Sequence, residues 1–257
     1  MVISGSIPEV TLAGVGKRFR DGAVALSGIS LTVERGEFVT FLGPSGCGKS
    51  TLLKLVSGLS PVSEGRVHVN GLAPEKAREL MSFIFQDATL LPWRTVERNV
   101  GLELELEHAA RPARAERVAK MLELVGLGHV AKSYPRQLSG GMKMRASIAR
   151  ALVTRPRILL MDEPFAALDE ISRDRMNEEL LRLYAEQKWT VLFVTHSVAE
   201  AVFLSSRIVI LSAHPGRVAH QMQVDLPWPR TSETRESKAF EEQVTQASRL
   251  LRGVYQS

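Results

Sequence analysis

The chain opens on a strand rhythm. Residues 10–19, VTLAGVGKRF, alternate apolar and polar side chains, the period of a strand buried on one face. ISLTVERGEFVTFL repeats it: Ile29, Leu31 and Val33 share a face, and Arg35–Gly36 supplies a turn. From Phe38 to Leu42 the pattern changes to an almost unbroken apolar run, as expected of a strand covered on both faces of a sheet. That run leads straight into Gly43, after which KSTLLKLVSGL reads as a helix closed by Gly58.

From about Met81 to Arg150 helical periodicity takes over. In ARAERVAKMLELVGL, Val118, Met121, Leu122 and Val125 fall on one side, and the Pro-containing KSYPRQ interrupts before LSGGMKMR. Residues of about 81–150 are thus read as a mostly helical insert. Beyond it RILLMD, RDRMNEELLRLYAEQ, TVLFVT, VAEAVFL and RIVILS alternate strand and helix, the rhythm of parallel strands joined by crossover helices. The C-terminal SKAFEEQVTQASRLLRGV spaces Phe240, Val244, Ala247 and Leu251 as one helical face. A helix docked on the body is preferred there over a membrane-surface or partner helix. The class is α/β, one domain over 1–257 with a short helical tail at about 225–257.

Composition adds little but excludes much. No run approaches the roughly 18 apolar residues of a membrane span, and MVISGSIPEV lacks the charged start and apolar core of a signal peptide. The single cysteine, Cys47, rules out a disulfide framework within the chain and fits a reducing cytosol. A net charge of +5, spread along the chain, is read as a solvated surface with a slight basic excess in preference to a nucleic-acid patch.

The candidate chemistry sits where apolar strands end. GPSGCGKST places Gly43, Pro44, Ser45, Gly46, Cys47, Gly48, Lys49, Ser50 and Thr51 as a phosphate-binding loop. Gly46 and Gly48 let backbone N–H groups turn inward, and the helix N-terminus adds its positive end. Lys49 can reach the β- and γ-phosphates, and the Ser50 hydroxyl can ligate Mg²⁺. ILLMDEP ends a buried strand in Asp162, a Mg²⁺ ligand directly or through water, and Glu163, placed to polarise an attacking water. VLFVTHS ends a parallel strand in His196, which there would donate to the γ-phosphate and steady the water. For LSGG, a serine N-cap followed by flexible residues is the reading the segment supports by itself.

Taken together, GPSGCGKST, LSGGM, ILLMDEP, AALD and VTHS resemble, in order and spacing, the nucleotide-binding subunit of an ABC transporter, over nearly the whole chain. The resemblance implies a mainly parallel sheet core, an N-terminal antiparallel β subdomain and the inserted helical subdomain. It also implies that two copies pair head to tail, each ATP held by one P-loop and capped by Ser139, Gly140 and Gly141 of the other. By the same resemblance Phe19 stacks on adenine, Gln86 contacts Mg²⁺ or the attacking water, and Asp169 belongs to a loop crossing the interface. Departures from the family pattern are Met142, Met144–Arg145, Ser206 and Ala166–Ala167, none of which removes a phosphate ligand or a catalytic carboxylate.

LLPW, at residues 90–93, and LSAHPGRV resemble the bacterial nitrate, sulfonate, taurine and pyrimidine-precursor importers. That branch implies a subunit on the cytoplasmic face of the inner membrane, peripheral, with ATP and Mg²⁺ as its ligands. Its partners would be a permease received near Gln86–Trp93 and, indirectly, a solute-binding protein, without nucleic acid. The stretch after about Val224 is too short for an added regulatory β-domain. The alternatives are a non-transport ABC ATPase acting on nucleic acid and a P-loop kinase, the latter leaving LSGG and VTHS unexplained.

Overall fold

A computed structural model describes residues 7–256 of the protein. MVISGS, the first six residues of the stretch read above as lacking a signal sequence, and residue 257 lie outside them. Three strands, β1 (Val10–Arg18), β2 (Val24–Val33) and, after the first helix, β4 (Glu64–Val69), form an antiparallel sheet in the order β2-β1-β4. The register sets Val10 opposite Val33 and Val69, and Leu12 opposite Leu31 and Val67, so one apolar face is continuous. β3 (Phe38–Leu42) and helix α1 (Lys49–Val56) lie beside this face.

The larger sheet is six-stranded: β3, β5 (Met81–Ile84), β6 (Ile158–Asp162), β7 (Thr190–Val194), β8 (Arg207–Leu211) and β9 (Val218–Gln223). Its order is β5-β6-β7-β3-β8-β9, parallel throughout except for the β8–β9 pair. Alternate residues of the four central strands enter different cores. Phe38, Leu159, Val191 and Ile208 face α6 (Glu170–Gln187), α7 (Val198–Leu204) and α9 (Lys238–Gln256), while Val39, Leu160, Leu192 and Val209 face α1 and the antiparallel sheet. Both faces are covered, as the unbroken apolar runs required.

A third core belongs to the helices α2 (Val96–Val100), α3 (Leu102–Leu106), α4 (Arg111–Leu124) and α5 (Gly140–Leu152). Val118, Leu122 and Val125 are buried there, as their spacing predicts. The helices begin at Val96, later than the expected 81, because Met81–Ile84 pairs with β6 as an edge strand of the sheet. After β9 comes the short helix α8 (Ser232–Arg235), then α9, which packs Phe240, Ala247 and Val254 onto the body. Val244 and Leu251 flank them, half-buried. Among the described residues no helix is long and apolar enough to cross a membrane.

Candidate nucleotide site

The parallel order brings the C-terminal ends of β3, β6 and β7 to one edge of the sheet, where open α/β sheets collect ligands. From β3 the chain enters the glycine loop and turns into α1 at Gly48, whose φ of 95° lies in the left-handed region. A side chain there is barred twice, since a Cβ would sit 2.7 Å from Leu26 Cδ2 and 3.0 Å from the Ala25 carbonyl oxygen. Lys49 is buried, and its ammonium donates to the Gly43 and Pro44 carbonyls at 2.8 and 3.0 Å. Cys47 beside it is fully buried, and burial pushes its thiol above the ordinary cysteine value despite the Lys49 charge.

Ser50, in the first turn of α1, donates its hydroxyl at 2.8 Å to Oδ1 of Asp162, the last residue of β6. Two hard oxygen donors in contact suit a small divalent cation such as Mg²⁺, which takes few protein ligands and completes its shell with phosphate and water. Among the described residues no group of three or more histidine, cysteine, aspartate or glutamate side chains converges on a metal position.

Glu163 follows in a conformation that L-residues avoid, with φ at 49°. Its amide donates to Val194 O at 3.0 Å and its carbonyl accepts from Ala166 N–H at 3.2 Å, so both sides of the peptide are held. The twist turns the carboxylate toward the end of β7, where His196 Nε2 lies 2.6 Å from Glu163 Oε1. A left-handed residue costs about 1–2 kcal/mol, and strain of that size persists where the surroundings over-determine it, often at functional positions.

One cavity of about 240 Å³ has Phe19, Ala25, Ser45, Gly46, Gly48, Lys49, Ser50, Thr51, Glu163 and His196 on its wall; Gly43, Pro44, Cys47 and Asp162 are not part of that wall. Phe19 is 45% exposed there, a large apolar ring of the kind that stacks on a planar base, with the Lys17 ammonium 5.6 Å from its centre. Ala25 escaped the sequence reading, having no chemistry to signal it. Gln86 is exposed two residues beyond the end of β5 and is not on this wall.

Ser139, Gly140 and Gly141 lie outside the cavity as well. Ser139 caps α5, its hydroxyl accepting from Met142 N–H at 3.3 Å. Gly140 is exposed, and an added Cβ would meet nothing within 4 Å; at Gly141 it would find Leu168 Cδ2 at 3.6 Å. Asp169 caps α6 by accepting from Ser172 N–H at 2.9 Å, which holds its carboxyl below the usual aspartate range. Arg173, another residue the sequence did not flag, ties the intervening turn by donating to the Phe165 and Leu168 carbonyls.

The departures sit quietly in this frame. Met144 is a core residue, Arg145 donates to the Val125 carbonyl, and Ala166 and Ala167 are exposed. Ser206 exchanges hydrogen bonds with both backbone groups of Phe38.

Residues 26–166 match the family described as ABC transporter. The chain belongs to that family. A relative named the aliphatic sulfonates import ATP-binding protein SsuB, from Bacillus licheniformis, is 48% identical over 206 residues, 80% of either chain. Among solved structures, the dimeric ATP-binding cassette MJ0796 in a post-hydrolysis state bound to ADP and Pi gives a TM-score of 0.76. It is 32% identical and aligns over 85% of this chain and 100% of its own. The cassette cbiO1 of Clostridium perfringens, part of the ABC transporter complex cbiONQ, gives 0.78 at 26% identity over 95% of each chain. The cassette therefore has the ABC ATPase fold, that of a family that binds ATP.

Proposed function

We propose that this cassette is the ATP-hydrolysing subunit of a bacterial importer, and that hydrolysis occurs between two copies facing opposite ways. The observation that carries the reading is that the serine–glycine turn contributes nothing to the cavity wall of its own chain. Gly140 has no positive φ and no crowded Cβ, so nothing in its own chain requires glycine there. A close intermolecular approach of backbone to phosphate would. The dimeric MJ0796 cassette is consistent with that arrangement.

In this reading Phe19 stacks on the adenine, the loop from Gly43 to Thr51 cradles the phosphates, and Lys49 releases its carbonyl contacts to reach them. Ser50 and Asp162, with Gln86 near, would hold Mg²⁺, whose charge would neutralise the phosphate oxygens. Glu163 takes the proton of the attacking water, and His196 holds both that carboxylate and the γ-phosphate. Ser139, Gly140 and Gly141 of the second copy close the centre, and Asp169 lies on the turn beside them.

For the membrane partner we assign the face around Trp93. Trp93 is 71% exposed at the rim of a groove of about 840 Å³ lined by α2, α3 and α4, including Arg94, Glu97, Arg98 and Glu105. A short cytoplasmic helix of a permease would suit such a groove, and in this reading the cassette sits peripherally on the cytoplasmic face of the membrane. The relative named for aliphatic sulfonate import supports a sulfonate-type solute; in this reading a separate solute-binding protein hands it to the permease.

Replacing Glu163 by Gln tests the catalytic half. ATP binding is expected to persist while turnover falls by at least about a hundredfold, and the variant should form an ATP-dependent dimer on size-exclusion chromatography. Wild-type hydrolysis by Glu163→Gln would overturn the assignment.

A further inference from the structure

The backbone on either side of His196 is tied together by side chains outside the nucleotide cavity. Thr195, its neighbour at the end of β7, donates its hydroxyl to the Glu200 carboxylate and accepts from Ser197 N–H at 3.0 Å. Ser197 caps α7 by accepting from the Glu200 amide at 3.2 Å. Glu200 is buried, and its Oε1 has no hydrogen-bond partner. Burial raises its carboxyl above the usual range, against the opposing pull of Thr195 and Arg173.

The other end of α7 is closed from the segment after β9. Arg230, also buried, donates through Nη1 to the carbonyls of Val202, Phe203 and Ser205 at 3.0, 3.0 and 2.8 Å. Its guanidinium lies 4.2 Å from the Trp228 ring centre, and burial lowers its pKa to about 10. Arg235 stacks 3.8 Å from the Phe203 ring centre and pairs with Asp174 of α6.

At 7 residues α7 is too short to persist on its own hydrogen bonds. Apolar packing alone would fix such a helix more cheaply than a buried carboxyl and a buried guanidinium. What those two groups add is direction: they lock the two ends of the helix that begins two residues after His196.

We propose that Glu200 and Arg230 are positioning residues for hydrolysis. By fixing both ends of α7 they set His196 against Glu163, and turnover thereby depends on the segment after β9. The inference rests on His196 serving the hydrolytic centre.

The test pairs kinetics with NMR of ¹⁵N-histidine-labelled protein, the His196 ring resonance being identified by its loss in His196→Ala. Glu200→Gln and Arg230→Met are expected to lower kcat about ten- to a hundredfold, with KM for ATP within about twofold of wild type. Both should also move the His196 resonance. Arg230→Lys should recover part of the rate, and Lys238→Ala, on an exposed face of α9, should change neither readout. If Arg230→Met does not fold, Glu200→Gln and Thr195→Val are read in its place. A folded variant with wild-type kcat overturns the proposal, as does a kcat loss with an unmoved His196 resonance or a matching rise in KM. If His196→Ala itself turns over ATP at the wild-type rate, the assignment of His196 fails instead. The resonance would still report whether the ends of α7 place its ring.

Discussion

Glu163 and Gly140 break backbone expectations in opposite ways. Glu163 adopts a conformation glycine would take more easily, and the cost is borne because the carboxylate must face His196. Gly140 keeps a glycine in ordinary helical backbone with open space beside it. Gly140→Ala should therefore leave thermal stability unchanged or raise it by up to about 1 kcal/mol, while ATPase activity falls because the methyl group enters the partner's phosphate site. Melting curves and a phosphate-release assay on the same sample separate the two effects; a loss of stability would mean that the glycine serves its own fold. Glu200 gives a pH prediction of definite sign. Its folded-state pKa lies above the ordinary glutamate value, so the folded protein holds a proton that the unfolded chain releases first. Stability then falls as pH rises from that ordinary value toward the raised one. Glu103 shifts the same way, whereas the lowered pKa of Asp169 acts in a more acidic window. Urea denaturation of wild type and Glu200→Gln across pH 4–7 should show a steeper decline in wild type; parallel curves would refute it.

Elements reveal why some features could be read from the chain and others could not. Asn99, fully buried in α2, donates to the carbonyls of Leu91, Arg94 and Thr95 and accepts from Leu91 N–H at 2.7 Å, fixing the loop that presents Trp93. Asn99→Ala would leave these backbone groups without their partner and should cost about 2–3 kcal/mol in denaturant unfolding; a cost under about 0.5 kcal/mol, typical of a neutral surface change, would contradict the clamp. Nothing in the sequence separates Asn99 from a polar residue on a solvated helix face, because what distinguishes it is the loop that folds over it. β3, β6 and β7 were legible because a strand covered on both faces is written almost entirely in apolar residues. β5 is only 4 residues long and includes Ser82, and β9 exposes most of VAHQMQ, so neither carries a clear period. The residues that end β3, β6 and β7 were legible for the same reason, being polar groups abruptly following apolar runs. Glu200 and Arg230 were not: a Glu in a helix and an Arg after Trp-Pro signal solvent until burial shows otherwise.

At the scale of the molecule, one chain places Lys49, Ser50, Asp162, Glu163 and His196 together and Ser139, Gly140 and Gly141 apart. If two copies are needed, defects in the two halves should complement. Lys49→Met disables the phosphate loop of its own chain, and Gly140→Asp sets a carboxylate against the phosphate held by the partner. Each variant alone makes dimers in which both centres are damaged, so each should be inactive. In a mixed dimer the two defects fall in the same centre, because the phosphate loop of one copy faces the serine–glycine turn of the other. The second centre is then built from the undamaged halves. With equal amounts and random pairing, half the dimers are mixed and each keeps one of two centres, so activity should return to about one quarter of wild type in a two-fold symmetric assembly with independent centres. The recovered rate should fall on dilution, since it depends on association. A mixture no more active than its separate components, with both variants folded and binding normally to each other, would place the complete hydrolytic centre within a single chain.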